Sequence, residues 1–353
     1  MMRRLATLLV LLAVLAVACG SDDDGGGGEE ERVTITLMTH DSFNVSESVL
    51  DAFTEETGIT VELLPSGDTG QALNQAILAK GDPLADVFFG VDNTFLTRAL
   101  DAGIFVPYES PELAAVPDEL ELDGEHRLTP VDYGDVCVNF DKEFFSADGA
   151  PPIPSTLDDL TRPEYEGLLV VEDPSTSSPG LAFLLATVAR YGEDGWRDYW
   201  SALRANDVQV TAGWEQAYYD SFSGGSGEGD RPLVVSYASS PPAEVVFADP
   251  RPAEAPTGVM VDSCFRQVEH VGILAGTRHE DAARRFVDFM LSPELQADVP
   301  LNMFVFPVRP DVPLPEEFVR FAAVPDEPLE LSPGEIGAAR DRWIEEWTAT
   351  VLR

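Results

Sequence analysis

From residue 33 the chain alternates strictly, Val33-Thr-Ile-Thr-Leu-Met38, the period-two pattern of a half-buried strand. The period then lengthens. Val49-Leu-Asp-Ala-Phe-Thr-Glu-Glu56 carries its apolar positions at helical spacing and stops at Gly58, after which Ile59-Thr-Val-Glu-Leu-Leu64 returns to strand. A helix over 70–80 and the apolar run Ala85-Asp-Val-Phe-Phe-Gly90 complete the series. Strands alternating with helices across short joints predict a mostly parallel sheet covered on both faces. Ligands of such sheets sit beyond the carboxyl ends of the strands, which singles out His40-Asp41-Ser42 and Asp92-Asn93.

The same signals repeat between residues 138 and 263, with strands expected at 168–171, 208–210 and 232–236. The helical pattern Glu280-Asp-Ala-Ala-Arg-Arg-Phe-Val-Asp-Phe-Met290 then reads as a return to the first unit. On this reading the chain crosses between two lobes, near Asp132-Tyr133-Gly134 and again near Cys264. One lobe is expected from 32–134 and 265–353, the other from 135–264, each a mixed, mostly parallel α/β sheet flanked by helices, with the crossing strands as hinge. The polar, glycine-rich stretch 223–230 is expected as a mobile loop.

Ahead of the first strand, Arg3 and Arg4 precede an apolar run from Leu5 to Ala18 that ends in Ala16-Val-Ala-Cys19-Gly20. The run is shorter than the roughly 20 apolar residues of a spanning helix, so it reads as a secretion signal over 1–18. Small residues before a cysteine resemble a bacterial lipobox, with Ala16 where leucine is more usual. Cys19 is therefore expected to carry lipid and to tie the protein to the membrane surface through a solvated tether over 19–31.

A formal charge of −41 excludes a nucleic-acid partner, since a phosphate backbone needs a basic footprint. It would concentrate a cationic solute, although many acids beside only two lysines, Lys80 and Lys142, fit a salty habitat equally well. Two cysteines remain, Cys137 and Cys264, both in strand-like segments. In an exported chain an even pair favours a disulfide, and two buried free thiols are the other reading. His40, His126, His270 and His279 have no ligand spacing, and neither a metal nor a cofactor is expected.

Three segments carry candidate chemistry. Asp173-Pro-Ser-Thr-Ser-Ser-Pro-Gly180 offers hydroxyls and free amides ahead of the apolar run Leu181-Ala-Phe-Leu-Leu-Ala186, a helix start at which an anion can sit. Ala212-Gly-Trp-Glu-Gln-Ala-Tyr218 and Ser236-Tyr-Ala-Ser-Ser-Pro241 bring Trp214, Tyr218 and Tyr237, faces suited to a flat or cationic ligand. Each has a plainer reading: the aromatics as core packing, Asp173 and Ser175 as helix caps, Asp92 and Asn93 as a turn.

These segments, with Thr39-His-Asp-Ser-Phe43, Gly90-Val-Asp-Asn93, Pro130-Val-Asp-Tyr-Gly134 and Arg342-Trp-Ile-Glu-Glu-Trp347, resemble the thiamine-binding proteins of bacterial thiamine ABC importers over almost the whole mature chain. The resemblance implies a two-lobed type II periplasmic binding protein fold. It implies a monomer outside the cytoplasm that closes on thiamine or its mono- or diphosphate and delivers it to a membrane permease. Matched position by position, Ser177 corresponds to a phosphate-side serine, Trp214 to a phosphate-side tryptophan and Tyr237 to an aromatic wall. His40 stands where the family has tyrosine, and Phe304 where it has tryptophan. Tyr133, Ser42, Ser178 and Tyr218 fall in the matched motifs, and Asp41 or Asp92 would pair with the aminopyrimidine.

Two rival functions follow from the same fold. Ferric-iron binders use neighbouring tyrosines, which Tyr218-Tyr219 superficially supplies, although adjacent helical residues diverge by about 100° and further ligands are wanting. Thiaminases of the cysteine type resemble the fold as well, and would use Cys137 as a thiolate.

Overall fold

A computed structural model describes residues 33–353, so the expected signal over 1–18, Cys19 and the tether over 19–31 lie outside the described residues. The first strands, β1 (Val33–Thr39), β2 (Ile59–Pro65) and β3 (Val87–Asp92), are parallel, with β1 between the other two. They are followed by β4 (Phe105–Val106), β5 (Thr129–Asp141), β6 (Leu169–Glu172), β7 (Gln209–Thr211), β8 (Leu233–Tyr237), β9 (Thr257–Leu274) and β10 (Phe306–Pro307). All belong to one mixed sheet in the order β2-β1-β3-β9-β5-β8-β6-β7, with β10 beside β5 and β4 beside β9. Parallel strands make both ends of this sheet, and the long antiparallel pair β5–β9 makes its middle.

Helices α1 (Glu47–Thr57), α2 (Thr69–Leu78) and α3 (Leu96–Ala102) join the first strands. The central segment contributes α4 (Lys142–Ser146), α5 (Ser178–Ala205, interrupted at Gly192, φ 68°) and α6 (Pro241–Val246). Then come α7 (Glu280–Met290), α8 (Pro293–Asn302), α9 (Glu316–Phe321) and α10 (Pro333–Val351). Period-two alternation sends Ile35 and Leu37 of β1 to one face, where they pack with Phe53 of α1, Phe286 of α7 and Leu295 of α8. Met38 faces the other way, into a core with Leu73 of α2, Leu96 of α3, Leu184 of α5 and Trp347 of α10. The result is a sheet buried on both faces, as the alternating pattern requires.

The β5–β9 ladder runs from Asp141 opposite Thr257 to Thr129 opposite Val271, and its register shifts between Val136 and Val138. There Cys137 and Cys264 form a disulfide, both fully buried. The family-like motif of α10 proves to be packing: Trp347 sets its ring edge-on to Trp200 of α5 at 5.4 Å, and the Arg340 guanidinium lies 4.6 Å from the ring of Phe95, just ahead of α3. α10 therefore spans both ends of the sheet.

Candidate functional site

A cavity of about 940 Å³ lies beyond the carboxyl ends of β1 and β2, facing the start of α5, the turn after β7 and the segment after β8. Its aromatic wall is built by a π-helical turn, Gln216–Ser221, a rare geometry often found at functional sites. The turn stacks Trp214 on Tyr218 at 5.0 Å and sets Tyr219 edge-on to Trp214 at 5.6 Å. Polar anchors hold these rings: Trp214 Nε1 donates to Ser236 Oγ at 2.9 Å, and the Tyr218 hydroxyl donates to Glu244 at 2.7 Å. Ser223, Gly225 and Ser226 of the glycine-rich stretch form part of the wall, with Ser226 donating to Glu244 at 2.9 Å.

Tyr237, His40 and Phe304 continue the aromatic surface. Two glycines make room for it. A Cβ on Gly134 would stand 2.9 Å from Cδ1 of Tyr237, and one on Gly90, which has φ +114°, would stand 2.7 Å from Cδ2 of His40. Phe304 holds a left-handed backbone (φ 54°), the kind of strain that concentrates at binding sites, and its ring meets Phe247 at 5.4 Å.

The floor is acidic. Glu269 of β9 lies in register with Asp92 of β3 on one side and Asp132 of β5 on the other, so three buried carboxyl groups form a row across the sheet. Desolvation pushes Asp92 up to about 6 and Asp132 up to about 8, and raises Glu269 well above the usual carboxylate range, with the charges of Asp132 and Asp92 adding to it. The pair Asp132–Glu269 thus keeps a proton at neutral pH. His40 points Nε2 toward Glu269 at 3.6 Å, and burial lowers its pKa to about 4, so the ring is neutral. Asp41 and Glu215 add carboxylates near the mouth, and Asp141, Glu143 and Glu244 line the far end; among the described residues no lysine or arginine reaches the wall.

The sequence places an anion site at the start of α5, and the structure fills it with Asp68. Its Oδ1 accepts from the amides of Thr69 at 2.7 Å and Ser178 at 3.2 Å, and its Oδ2 from that of Trp214 at 3.1 Å. Burial raises the Asp68 pKa, while these amides and the Ser177 hydroxyl pull it back. A second cross-contact lies alongside, with Gly70 N–H donating to Thr176 O at 3.0 Å.

Of the residues expected from sequence, His40, Asp41, Ser42, Ser178, Trp214, Tyr218, Tyr237 and Phe304 line the cavity. Asp92, Asn93, Tyr133 and Ser177 do not. Asp92 is fully buried and accepts from Thr94 Oγ1 at 2.8 Å, Phe95 N–H at 3.2 Å and Gln267, with Glu269 opposite it in register. Asn93 is zipped to β9, accepting from Val268 N–H at 3.0 Å and donating to Arg266 O at 3.0 Å. Tyr133 turns to the far face of β5, where it stacks on Phe306 at 5.3 Å. Ser177 is buried as the N-cap of α5, accepting from Gly180 N–H. The sequence reading passed over Asp68 and Glu269. Asp68 follows a strand end by the same rule that marks His40, and Glu269 is a charged residue inside the apolar run Val268-Glu-His-Val-Gly-Ile273.

The rival chemistries find little here. Both Tyr218 and Tyr219 line the cavity, Tyr218 deep and Tyr219 at the exposed edge, yet among the described residues no cluster of three or more His, Cys, Asp or Glu side chains is placed to hold a metal ion. Cys137 is bonded and buried, which leaves no thiolate for attack.

A model of the bacterial extracellular solute-binding protein family matches residues 82–324. The thiamine-binding periplasmic protein of Escherichia coli (strain K12) is 28% identical over 326 residues, covering 90% of this chain and 94% of its own length. The iron uptake protein A1 of Synechocystis is 24% identical over 314 residues, covering 84% of this chain and 82% of its own. Among solved structures, a periplasmic thiamin binding protein superposes with a TM-score of 0.80 at 28% identity, covering 92% of this chain and 98% of that one.

Proposed function

The chain belongs to the bacterial extracellular solute-binding protein family, and from that premise we propose that it captures thiamine, or thiamine mono- or diphosphate, and delivers it to an ABC permease. It is a binding protein of a transport system rather than an enzyme, and it works outside the cytoplasm. The observation that carries the ligand is the composition of the cavity: flat aromatic faces beside a carboxylate floor, with no lysine or arginine among the described residues of the wall. A thiazolium is a permanent cation, and each aromatic face near it contributes roughly 0.5–2 kcal/mol, the more so where water is excluded. The aminopyrimidine is a planar donor and acceptor suited to carboxyl groups.

In this reading Tyr237, His40 and Phe304 stack on the rings, Trp214 and Tyr218 close the other side, and Glu269 and Asp41 take the amine and balance the cation. Asp92, Asn93, Tyr133 and Ser177 act from behind the wall, as supports of the residues that touch the ligand. The lobes 32–134 with 265–353, and 135–264, rotate about the middle of the β5–β9 ladder, where Gly134 pairs with Gln267 and Val136 with Phe265. Cys19 anchors a monomeric protein to the membrane through lipid.

Calorimetric titration of the purified protein with thiamine and its two phosphates tests the proposal. Saturable one-to-one binding of at least one of them is expected. Binding of none, or an iron charge-transfer band in the protein as purified, sinks it.

A further inference from the structure

The long pair β5–β9 does not run through unbroken. Val136 pairs with Phe265 and Val138 with Met260, so a single residue of β5, Cys137, spans four of β9, Val261 to Cys264. A bulge of this kind bends a ladder and leaves backbone groups without their strand partners. It falls where the two proposed lobes meet, with the ladder of Thr129 to Val136 on one side and that of Val138 to Asp141 on the other. Three links span the gap. Cys137 and Cys264 are joined by the disulfide. The Ser263 hydroxyl accepts from Val138 N–H at 2.8 Å and donates to Met260 O at 2.7 Å, standing in for the missing partner. Just beyond, Arg266 Nε donates at 2.6 Å to Asp135, a carboxylate buried beside the bulge. The chain returning from α9 to α10 braces the same place from outside. Leu329 N–H donates to Cys264 O at 2.7 Å, Arg266 N–H to Leu329 O at 3.3 Å and Ala323 N–H to Ala238 O at 2.8 Å.

A buried cross-link between residues 127 apart in sequence restricts the unfolded chain, and in that role it acts on stability alone. At a bulge it does something more, because it removes the freedom of two native strands to splay where their ladder bonds are missing. Neither cysteine lines the cavity, so neither touches a ligand. Any effect of the bond on binding must pass through the placement of the cavity walls. Those walls come from both sides of the bulge, His40, Glu269 and Phe304 from one and Trp214, Tyr218 and Tyr237 from the other.

Resting on the two-lobe closure and the thiamine reading proposed above, we propose that the Cys137–Cys264 bond is the fixed pivot of that closure. It makes β5 and β9 bend as one at the bulge and holds the ligand-free walls near the spacing that binding requires. Without it the walls drift, the binding-competent fraction falls and the apparent affinity falls with it. The test is the double variant Cys137→Ala/Cys264→Ala, titrated calorimetrically with thiamine well below its Tm and compared with wild type by small-angle scattering without ligand. A native circular dichroism spectrum, one-to-one binding weakened at least about fivefold and a larger ligand-free radius of gyration are expected. A lowered Tm with Kd within about twofold of wild type makes the bond a folding staple only and overturns the proposal. Should the double variant not fold, hydrogen exchange on the wild type decides. Amides of 136–138 and 260–266 are expected to exchange equally slowly with and without thiamine, while those of 214–219 slow on binding. Slowing at the bulge itself on binding means that the pivot moves despite the bond, and overturns the proposal. Wild type that binds no thiamine sinks the ligand reading alone. The ligand-free scattering comparison then still decides the pivot, an unchanged radius of gyration overturning it.

Discussion

The aromatic wall and the carboxylate floor share one cavity but answer to different variables. Trp214 is held by the Ser236 hydroxyl and by its stack on Tyr218, neither of which changes charge across the neutral range, so its attraction for a flat cation is indifferent to pH there. The row Asp92–Glu269–Asp132 is held by strand register, and burial keeps a proton on its Asp132–Glu269 pair near neutrality. A permanent cation above it favours the charged form. On the proposed thiamine reading, the wall would supply affinity that is always present, whereas the floor would supply affinity released by losing a proton.

The largest break of this contrast is Trp214→Ala. It removes the best cation–π face and the partner on which Tyr218 stacks, and roughly 2 kcal/mol, about thirtyfold in Kd, is the expected loss. The loss should be the same at pH 6 and pH 9. Calorimetry at both values checks this, and a change under threefold would mean the wall is packing rather than recognition.

That contrast also marks what the sequence could disclose. Helices and the alternating strands follow from local periodicity, and β1 to β3 and β6 to β8 lie within two residues of their expected ranges because each apolar face is settled by its immediate neighbours, whereas the short β4 and β10 carry no such pattern. Trp214, Tyr218 and Tyr237 were legible as candidates because each sits in or beside a polar segment at or just past a strand end, where large rings can face a cavity. The acidic row was not. Gln267 and Asp92, which touch, are 175 residues apart, and only the pairing of β3 with β9 and of β9 with β5 brings Asp92, Glu269 and Asp132 into line. Tyr133 shows how narrow the margin is: it neighbours Asp132 on one strand, but alternation turns it to the opposite face.

Next in size is the proton linkage of the floor. With Asp132 at about 8 in the folded protein and an ordinary carboxylate value when unfolded, the folded state holds the extra proton between them. The stability it contributes is fully present below the ordinary value and lost as pH rises through about 8. The ligand-free Tm should therefore fall from pH 6 to pH 9, and Asp132→Asn should flatten that slope. Binding of a cation runs the other way, because it favours the deprotonated row. Thiamine affinity should rise severalfold over the same range with net proton release, read from binding enthalpies in buffers of different ionisation heat. Glu269→Gln should lower affinity about fivefold at pH 8 and abolish the release. Proton uptake, or release that survives in E269Q, would remove Glu269 from the site.

The smallest expected effect separates the shape of the wall from its stability. Gly134 lies in β5 with an ordinary strand backbone, so alanine there meets no conformational penalty, and its methyl would press on Tyr237 Cδ1 at 2.9 Å and Cε1 at 3.4 Å. The tyrosine backbone is fixed by Ser240 Oγ at 3.2 Å, so the ring must tilt into the cavity. Gly90→Ala combines a similar clash, at 2.7 Å from His40, with a backbone at φ +114° that alanine resists. Gly134→Ala should then weaken thiamine binding two- to fivefold, a change of about 1 kcal/mol or less, with Tm within a degree or two of wild type. Gly90→Ala should lower Tm several degrees as well as affinity. Thermal melts beside titrations distinguish the pair. If G134A instead lowers Tm as much as G90A while binding is untouched, Tyr237 is a core residue that happens to border the cavity, and the aromatic wall ends at Trp214.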